Sequence, residues 1–200
     1  MLLNRYQGLF ILLAWLFSHT AQATTLLPVD LSHLHRYAQN ILYAECIDNQ
    51  VEMDQQSNAV VTYTTFSVKD AIKGAPQQTI TIKQIGGEMK ETGAALVVPG
   101  VPKFALNEKY LLFLPKKSRL GFSSPVGLGQ GSFQVFKSRD GNMMVSNGRD
   151  FSELMAGMEN KPMSPVAKAV VMRVMQKKEV DKKPQTTMHL NDFINVLKDM

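Results

Sequence analysis

The clearest pattern of hydrophobic and polar positions in this chain lies between Val60 and Gly87. Apolar residues occupy even positions and polar residues the odd positions between them: Phe66, Val68, Ile72, Ile80 and Ile82 against Thr65, Ser67, Thr79 and Thr81. A period of two, with many β-branched residues, predicts two long strands, each with one face in the core and one in water. Gly74 begins the turn between them, and Gly86 and Gly87 end the second strand.

Further segments have the composition of strands. Residues 41–47 predict a half-buried strand, 94–98 a short one, and 110–114 a strand that is apolar on both faces and therefore central. An Asp140-Gly141 turn joins a strand that includes Phe133 and Val135 to residues 142–146. Between 98 and 104, Pro99, Gly100 and Pro102 predict a rigid turn, because proline fixes φ and glycine tolerates positive φ.

Residues 125–136 carry glycines at alternate positions, Gly127, Gly129 and Gly131, with Gln130 between the last two. A phosphate-binding loop does not fit this context, because such loops open a helix and this one opens a strand. The spacing instead predicts a sharply coiled strand or a close approach of two backbones at the corner of a barrel.

Helical spacing of apolar residues predicts helices at both ends of the strand-rich region. Leu31, Leu34, Ala38 and Ile41 predict a short helix that caps one end of the barrel. Residues 151–158 predict a second short helix, and Ser164 followed by Pro165 predicts the start of a longer amphipathic one. The apolar face of the longer helix comprises Val166, Ala167, Val170, Val171, Val174 and Met175, and a final docking helix carries Leu190, Phe193, Ile194 and Leu197.

Basic residues are concentrated between Lys161 and Lys183. The candidate basic face of the long helix consists of Lys168, Arg173, Lys177 and Lys178. Two interpretations stay open: a helix that binds an anionic surface, or a solvated outer face on a helix packed against the barrel. The second is favoured, because the apolar face lacks the large aromatic residues of interfacial helices.

The first 23 residues predict a cleaved export signal. Arg5 supplies a positive charge, residues 9–17 form an apolar run and residues 21–23 an A-x-A site, so cleavage is expected between Ala23 and Thr24. An uncleaved anchor is the alternative, but this run, at about 1.5 Å per residue, is too short to span a hydrocarbon core of about 30 Å. The mature chain is expected to be exported, either periplasmic or secreted, without a membrane span. Its loss of Arg5 lowers the formal charge of +5 by one.

Residues with catalytic or metal-binding chemistry are few. Cys46 is the only cysteine, which excludes an internal disulfide, and its half-buried strand predicts a core residue, with a reactive thiol as the less favoured alternative. His33 and His35 lie two apart on a predicted helix and therefore point in different directions, with no third ligand nearby. Glu88 and Glu91 lack the shielding from water that a catalytic acid needs. The sequence therefore predicts no catalytic residue, no metal site and no cofactor.

The order of several motifs resembles a family of exported bacterial proteins of uncharacterised function. These motifs are a strand ending in a Lys-Gly turn at Gly74, the Gly86-Gly87 pair, VPGVPKF at 98–104, the strand YLLFLP, and GLGQGSFQV at 127–135. More distantly, the strand that runs into Gly74 is similar to the OB-type barrel of netrin-like and metalloproteinase-inhibitor domains. The resemblance implies a secreted metalloprotease as partner. It does not imply direct zinc chelation, because those inhibitors chelate through an N-terminal cysteine and this mature chain should begin at Thr24.

The predicted architecture is mainly β: a small antiparallel OB-like β-barrel of about five or six strands, followed by helices. The predicted units are the signal peptide 1–23, a barrel domain 24–150 with a short N-terminal helix, and a C-terminal helical extension 151–200. The leading hypothesis is an exported non-catalytic binding or accessory protein with a protein partner. The alternative is a cell-envelope module that binds an oligosaccharide or an anionic surface. Nucleic acid is not expected, because the basic residues cluster on a helix rather than among aromatic residues on strands.

Overall fold

Nine strands arise within residues 27–200, the part of the chain that this computed structural model describes. They are β1 Asn40–Asp54, β2 Ala59–Lys73, β3 Thr79–Ile85, β4 Gly87–Glu88, β5 Ala95–Leu96, β6 Lys109–Leu114, β7 Ser132–Lys137, β8 Met143–Ser146 and β9 Met188–His189. Seven of them form one antiparallel sheet in the order β3-β2-β1-β6-β7-β8-β9, and β4 pairs with β5 in a separate hairpin. The predicted signal segment, with its cleavage site between Ala23 and Thr24, lies outside the described residues.

The large sheet has two ends, β3 and β9, and no closed barrel is found among residues 27–200. The predicted OB-like barrel of five or six strands is therefore not confirmed, whereas the antiparallel β-rich fold with C-terminal helices is. The two strands predicted between residues 60 and 87 are confirmed, as is the central strand at 110–114, which lies fourth of the seven as β6.

The β1–β2 hairpin is long and irregular. Its register shifts at three points, between Ile41 and Leu42, between Tyr43 and Ala44, and between Cys46 and Asp48. Each shift leaves one residue of one strand without a partner, as a β-bulge does, and changes the face to which later side chains point. The prediction that Ile72 shares a face with Phe66 is consequently wrong: Phe66 lies in one core cluster and Ile72 packs against the other.

Within residues 27–200, four α-helices cover one face of the large sheet. They are α1 Leu31–Tyr37, α2 Phe151–Leu154, α3 Pro165–Asp181 and α4 Leu190–Lys198. Buried residues of all four pack with sheet residues such as Phe113 and Phe133 in the larger core cluster. Helix α1 thus lies on the face of an open sheet rather than at the end of a barrel. On α3 the predicted apolar face is too wide, because Val166 is 60% exposed.

The opposite face carries a second, smaller core to which none of the helices within residues 27–200 contributes. Its buried residues are Leu42, Ala44, Cys46, Phe66, Ile82, Phe104, Tyr110, Leu112 and Leu114. We call this the helix-free face. Strand β6 alternates between the two cores and is buried on both sides, as predicted. Full burial of each large apolar side chain contributes about 1.5–3 kcal/mol, so this strand is a main source of stability.

The glycine-rich segment differs from its predicted strand. Residues Leu128–Gly131 form a 3-10 turn, and β7 begins only at Ser132. The alternative prediction, close backbone approach, is confirmed: a Cβ on Gly131 would overlap the Val126 carbonyl, and Gly129 donates its N–H to the Gly100 carbonyl at 2.9 Å. Gly74 also needs its lack of a side chain, since at φ +86° a Cβ would overlap Asn40.

Within residues 27–200, no helix is both long enough and apolar enough to cross a membrane.

Candidate functional site

Polar residues interrupt the helix-free face along the outer half of the β1–β2 hairpin. Strand pairing aligns Asn49 of β1 with Thr64 of β2 and Ile82 of β3, and the next row aligns Val51, Thr62 and Gln84. Thr64 is 1% exposed and Gln84 is 2% exposed. Buried polar side chains need hydrogen-bond partners, so their arrangement indicates how this face is used.

These polar side chains bond to one another and to nearby backbone. The Thr64 hydroxyl donates to Asn49 Oδ1 at 2.7 Å, and Asn49 Nδ2 donates to the Phe104 carbonyl at 2.8 Å. Thr62 Oγ1 donates to the Gly86 carbonyl at 2.6 Å, and Gln84 Nε2 donates to the Pro102 carbonyl at 3.4 Å. The polar rows therefore hold in place the two segments that cross this face, the chain around Gly86 and the loop of residues 97–104.

These segments enclose a cavity of about 440 Å³, which we call the sheet-face pocket. Its floor is the two polar rows, one wall is the β4–β5 hairpin and the other is the loop 97–104. Besides the floor residues, it is lined by Ile85, Gly86, Gly87, Glu88, Lys90, Ala95, Leu96, Val97, Val98, Val101, Pro102, Lys103 and Phe104. A cavity of this size, mainly apolar with a few polar groups, has the character of a small-ligand or side-chain site.

The Gly86-Gly87 pair brings the wall of the pocket close to its floor. Gly86 has φ +96°, and a Cβ there would lie 2.7 Å from the Leu96 carbonyl oxygen. A Cβ on Gly87 would lie 2.6 Å from Thr62 Oγ1 and from Val51 Cγ1. Larger residues could not make this approach, so the two glycines that the sequence predicts as a strand end also shape the site.

A second, shallower depression of about 380 Å³ lies beside the pocket on the same sheet. It is lined by Tyr110, Ser132, Gln134, Ser146, Asn147 and Gly148, together with Pro102 and Lys103, which also line the pocket. Residues 102–103 therefore form a ridge between two openings. A ligand longer than one side chain could occupy both.

Charges lie only at the edge of the sheet-face pocket. The titratable side chains in its lining are Glu88, Lys90 and Lys103, and all three are exposed. Beneath the floor, burial raises the pKa of the Cys46 thiol, which keeps it protonated near neutral pH. The prediction that Cys46 is a buried core residue is confirmed by its 0% exposure. Within the described part of the chain, no three His, Cys, Asp or Glu side chains come together as metal ligands.

The predicted rigid-loop residues do not form one site. Gly86, Gly87 and Pro102 line the pocket, whereas Pro99 and Gly100 do not, although Gly100 accepts the Gly129 N–H described above. Gly74 lies at the far end of the β2–β3 hairpin. Gly131 packs on Val126.

Gln130 binds the N-terminal segment instead of the pocket. Its Oε1 accepts from the Val29 N–H at 3.0 Å and from Arg149 Nη1 at 2.9 Å, and its Nε2 donates to the Leu27 carbonyl at 3.0 Å. Arg149 Nη1 also donates to the Val29 carbonyl at 2.6 Å. Together they fasten residues 27–29 to the 3-10 turn.

The candidate basic face on α3 is exposed and partly neutralised. Arg173 lies 3.3 Å from Asp192 of α4, and Lys178 lies 3.6 Å from Asp150 and 3.7 Å from Glu153. Lys168 and Lys177 are exposed and have no ion pair with any residue in 27–200. This pattern fits the outer face of a packed helix.

An ion pair on the other face of β3 was not predicted. Lys83 Nζ lies 2.8 Å from Asp54 Oδ2, and both residues are buried. Lys83 also donates to the Leu120 carbonyl at 3.0 Å and lies 4.8 Å from the Phe122 ring centre. Lys83 thereby joins the loop after β6 to the edge strand β3, where the Ser123 N–H also donates to the Lys83 carbonyl at 3.0 Å.

Sequence reasoning also missed the pocket floor. Thr62, Thr64 and Gln84 are polar residues at even positions, where the period-two pattern otherwise places the core. Polar residues at positions expected in the core were therefore the feature of the sequence that could have indicated this site.

No protein-family profile, curated protein or solved structure matches this chain.

Proposed function

We propose that this chain is an exported, non-catalytic binding module whose ligand site is the sheet-face pocket. The observation that carries the proposal is the pocket itself: a cavity of about 440 Å³ with a mainly apolar lining, whose floor carries the buried Thr64 and Gln84 and the half-buried Asn49 and Thr62. Such a floor is preorganised by its internal hydrogen bonds, so a ligand would bind without ordering it first.

The lining favours binding over catalysis. A nucleophile needs a base within hydrogen-bond reach, and acid–base catalysis needs a titratable group shielded from water. The polar side chains of the floor are hydroxyls and amides, and Glu88 and both lysines are exposed to solvent at the edge. Neither requirement is met by the described residues of the lining.

A polypeptide is the ligand class that the lining favours. The apolar walls are aliphatic, from residues such as Ile85, Leu96 and Val101. The aromatic residue in the lining, Phe104, is 7% exposed and packs edge to face against Phe66 and Tyr110, so its ring is not free to stack on a sugar. The adjacent depression would accommodate a neighbouring residue of an extended chain. The family resemblance makes a secreted metalloprotease the partner to examine first.

The test is a selection from a phage-displayed random heptapeptide library with the chain from Thr24 to Met200. Selected peptides should bind with a Kd of about 1–100 μM, which corresponds to roughly 5–8 kcal/mol. Val101→Trp, which fills the pocket, should weaken binding at least tenfold. Val180→Trp, on a fully solvated part of α3 at 79% exposure, is the matched control and should bind like wild type.

Three outcomes would overturn the proposal. Peptide binding that Val101→Trp leaves unchanged would place the site elsewhere. Binding only to an oligosaccharide array would favour the carbohydrate alternative. Salt-sensitive binding to phosphatidylglycerol vesicles that is lost when Lys168, Arg173, Lys177 and Lys178 are all changed to Gln would identify a surface binder.

A further inference from the structure

The hydrogen bonds in the sheet-face pocket use up most of the donors on its floor. The hydroxyl hydrogens of Thr62 and Thr64 are committed to the Gly86 carbonyl and to Asn49 Oδ1. Asn49 Nδ2 donates to the Phe104 carbonyl and, at 3.5 Å, to Cys46 Sγ. Three of the four floor side chains therefore have no side-chain hydrogen left to offer a ligand.

Acceptor capacity remains on the same side chains. A hydroxyl oxygen has two lone pairs, so both threonines can still accept a hydrogen bond. Gln84 is 2% exposed, and among residues 27–200 its only side-chain hydrogen bond is the one from Nε2 to the Pro102 carbonyl. Its Oε1 has no protein partner and is not among the fully buried unpaired polar atoms of residues 27–200, so it is an acceptor in the pocket lining that a ligand can reach. An accessible amide oxygen without a protein partner can accept a hydrogen bond from a ligand.

The charges around the pocket select against ions. No charged side chain lies on the floor, so a buried cation would have no counter-ion and would lose its hydration. An anion would meet acceptor oxygens where it needs donors. Lys90, Lys103 and Glu88 at the edge are solvated, and exposed charges of this kind contribute little.

We propose that the sheet-face pocket recognises an uncharged carboxamide on an aliphatic chain, such as an asparagine or glutamine side chain of the bound polypeptide. The carboxamide N–H₂ supplies the donors that the floor lacks, to Gln84 Oε1 and to a threonine oxygen. The remaining hydrogen on Gln84 Nε2 is free for the carboxamide oxygen. The aliphatic part of the ligand packs against Leu96, Val98 and Val101. This inference rests on the proposed function and specifies the chemistry of its ligand.

The experiment measures binding of pentanamide by NMR titration of the ¹⁵N-labelled chain from Thr24. 2-Hexanone has the same shape but carries a methyl group in place of the amide nitrogen, so it removes only the donors. Pentanoate and pentylammonium supply the charged alternatives. Pentanamide should shift the Gly86 and Gly87 signals and bind at least about fivefold more tightly than each of the other three, since one net hydrogen bond changes affinity by roughly this factor.

Two variants locate the effect. Gln84→Met keeps the side-chain length and removes the amide, so it should reduce pentanamide binding to the level of 2-hexanone. Gln77→Met, at an exposed glutamine after the β2–β3 turn, should leave the preference intact. If Gln84→Met does not fold, the comparison of pentanamide with 2-hexanone on the wild-type protein still tests the carboxamide preference.

The outcomes separate this inference from the proposed function. Equal binding of 2-hexanone and pentanamide, or preferred binding of either ion, would overturn the carboxamide preference and leave a peptide-binding pocket. If none of the four probes shifts the pocket signals but selected peptides do, the carboxamide preference is likewise overturned and the peptide-binding pocket remains. If neither the probes nor the peptides shift those signals, the inference and the proposed function both fall.

Discussion

The carboxylate of Asp54 is surrounded by hydrogen-bond donors. It accepts hydrogen bonds from Lys83, from the Ser57 hydroxyl and N–H, and from the Tyr63 hydroxyl. The hydrogen bond from Lys83, followed by those from Ser57, holds the pKa of this carboxyl well below its usual range, and Asp54 in turn raises the pKa of Lys83. Both groups are therefore ionised across the neutral range.

This arrangement predicts a specific loss of stability in acid. The folded state depresses the Asp54 pKa below the unfolded value of about 3.9, so the stabilisation is complete above that value and is lost as pH falls toward the folded pKa. The free energy of unfolding of the wild type should fall more steeply below about pH 5 than that of Asp54→Asn/Lys83→Met, which removes both charges. Urea denaturation at a series of pH values measures it. Parallel slopes for the two proteins would show that the pair does not titrate with folding.

For individual residues, the sequence predicted which apolar side chains are buried better than it predicted which polar side chains are buried and hydrogen-bonded. The alternation that placed Phe66 and Ile82 in the core is confirmed, with both at 0% exposure. The same alternation could not predict that Thr64 and Gln84 are buried. In sequence, a polar residue on a core face looks like the end of the pattern until its hydrogen-bond partners are known. Those partners, Asn49 and the Pro102 carbonyl, come from other parts of the chain.

Among the elements, the β4–β5 hairpin has a glycine with positive φ just before its first strand and another in its turn. Gly86 and Gly93 both have positive φ, +96° and +70°, but only a Cβ on Gly86 would meet another atom, the Leu96 carbonyl oxygen. Gly93 has nothing within 4 Å of that position. Alanine substitutions at Gly86 and Gly93 therefore separate two contributions to stability: the cost of a side chain at positive φ, and the cost of steric overlap.

Gly93→Ala should cost about 1–2 kcal/mol for a side chain at positive φ. Gly86→Ala should cost more, because the overlap at 2.7 Å adds to that cost, and it should move the hairpin away from the pocket floor. Urea denaturation gives the two energies, and NMR shifts of Thr62 and Val98 report the pocket. Equal costs with no shift at Thr62 would mean that Gly86 does not set the position of the hairpin.

Element type was predictable where a pattern was long and local. The β7–β8 hairpin around Asp140-Gly141, the Ser164 cap of α3 and the final helix α4 are all confirmed. Strand β9 was not predicted, because two residues, Met188 and His189, carry no periodicity and their strand character comes from pairing with β8. Whether the sheet closes into a barrel could not be predicted from the sequence either, because closure depends on whether two edge strands that are distant in sequence meet.

For the whole molecule, export remains a prediction that the N-terminus can test. A positively charged start, a short apolar run and an A-x-A site predict cleavage after Ala23. Mass spectrometry of the protein expressed in a Gram-negative host should find Thr24 as the first residue in the periplasmic fraction or the medium. Recovery of a chain that begins at Met1 in the membrane pellet would contradict it.

The central position of β6 has a consequence for folding kinetics. Its register pairs Asn40 with Leu114 and Glu45 with Lys109, so the middle of the sheet joins segments that are far apart in sequence. The β1–β2–β3 meander can form from neighbours, but its apolar face stays open until β6 and the Phe104 loop arrive. Closing so long a loop is slow, because its entropy is lost before the contacts are gained. A chain of this topology should therefore fold more slowly than a sheet built only from strands that are neighbours in sequence.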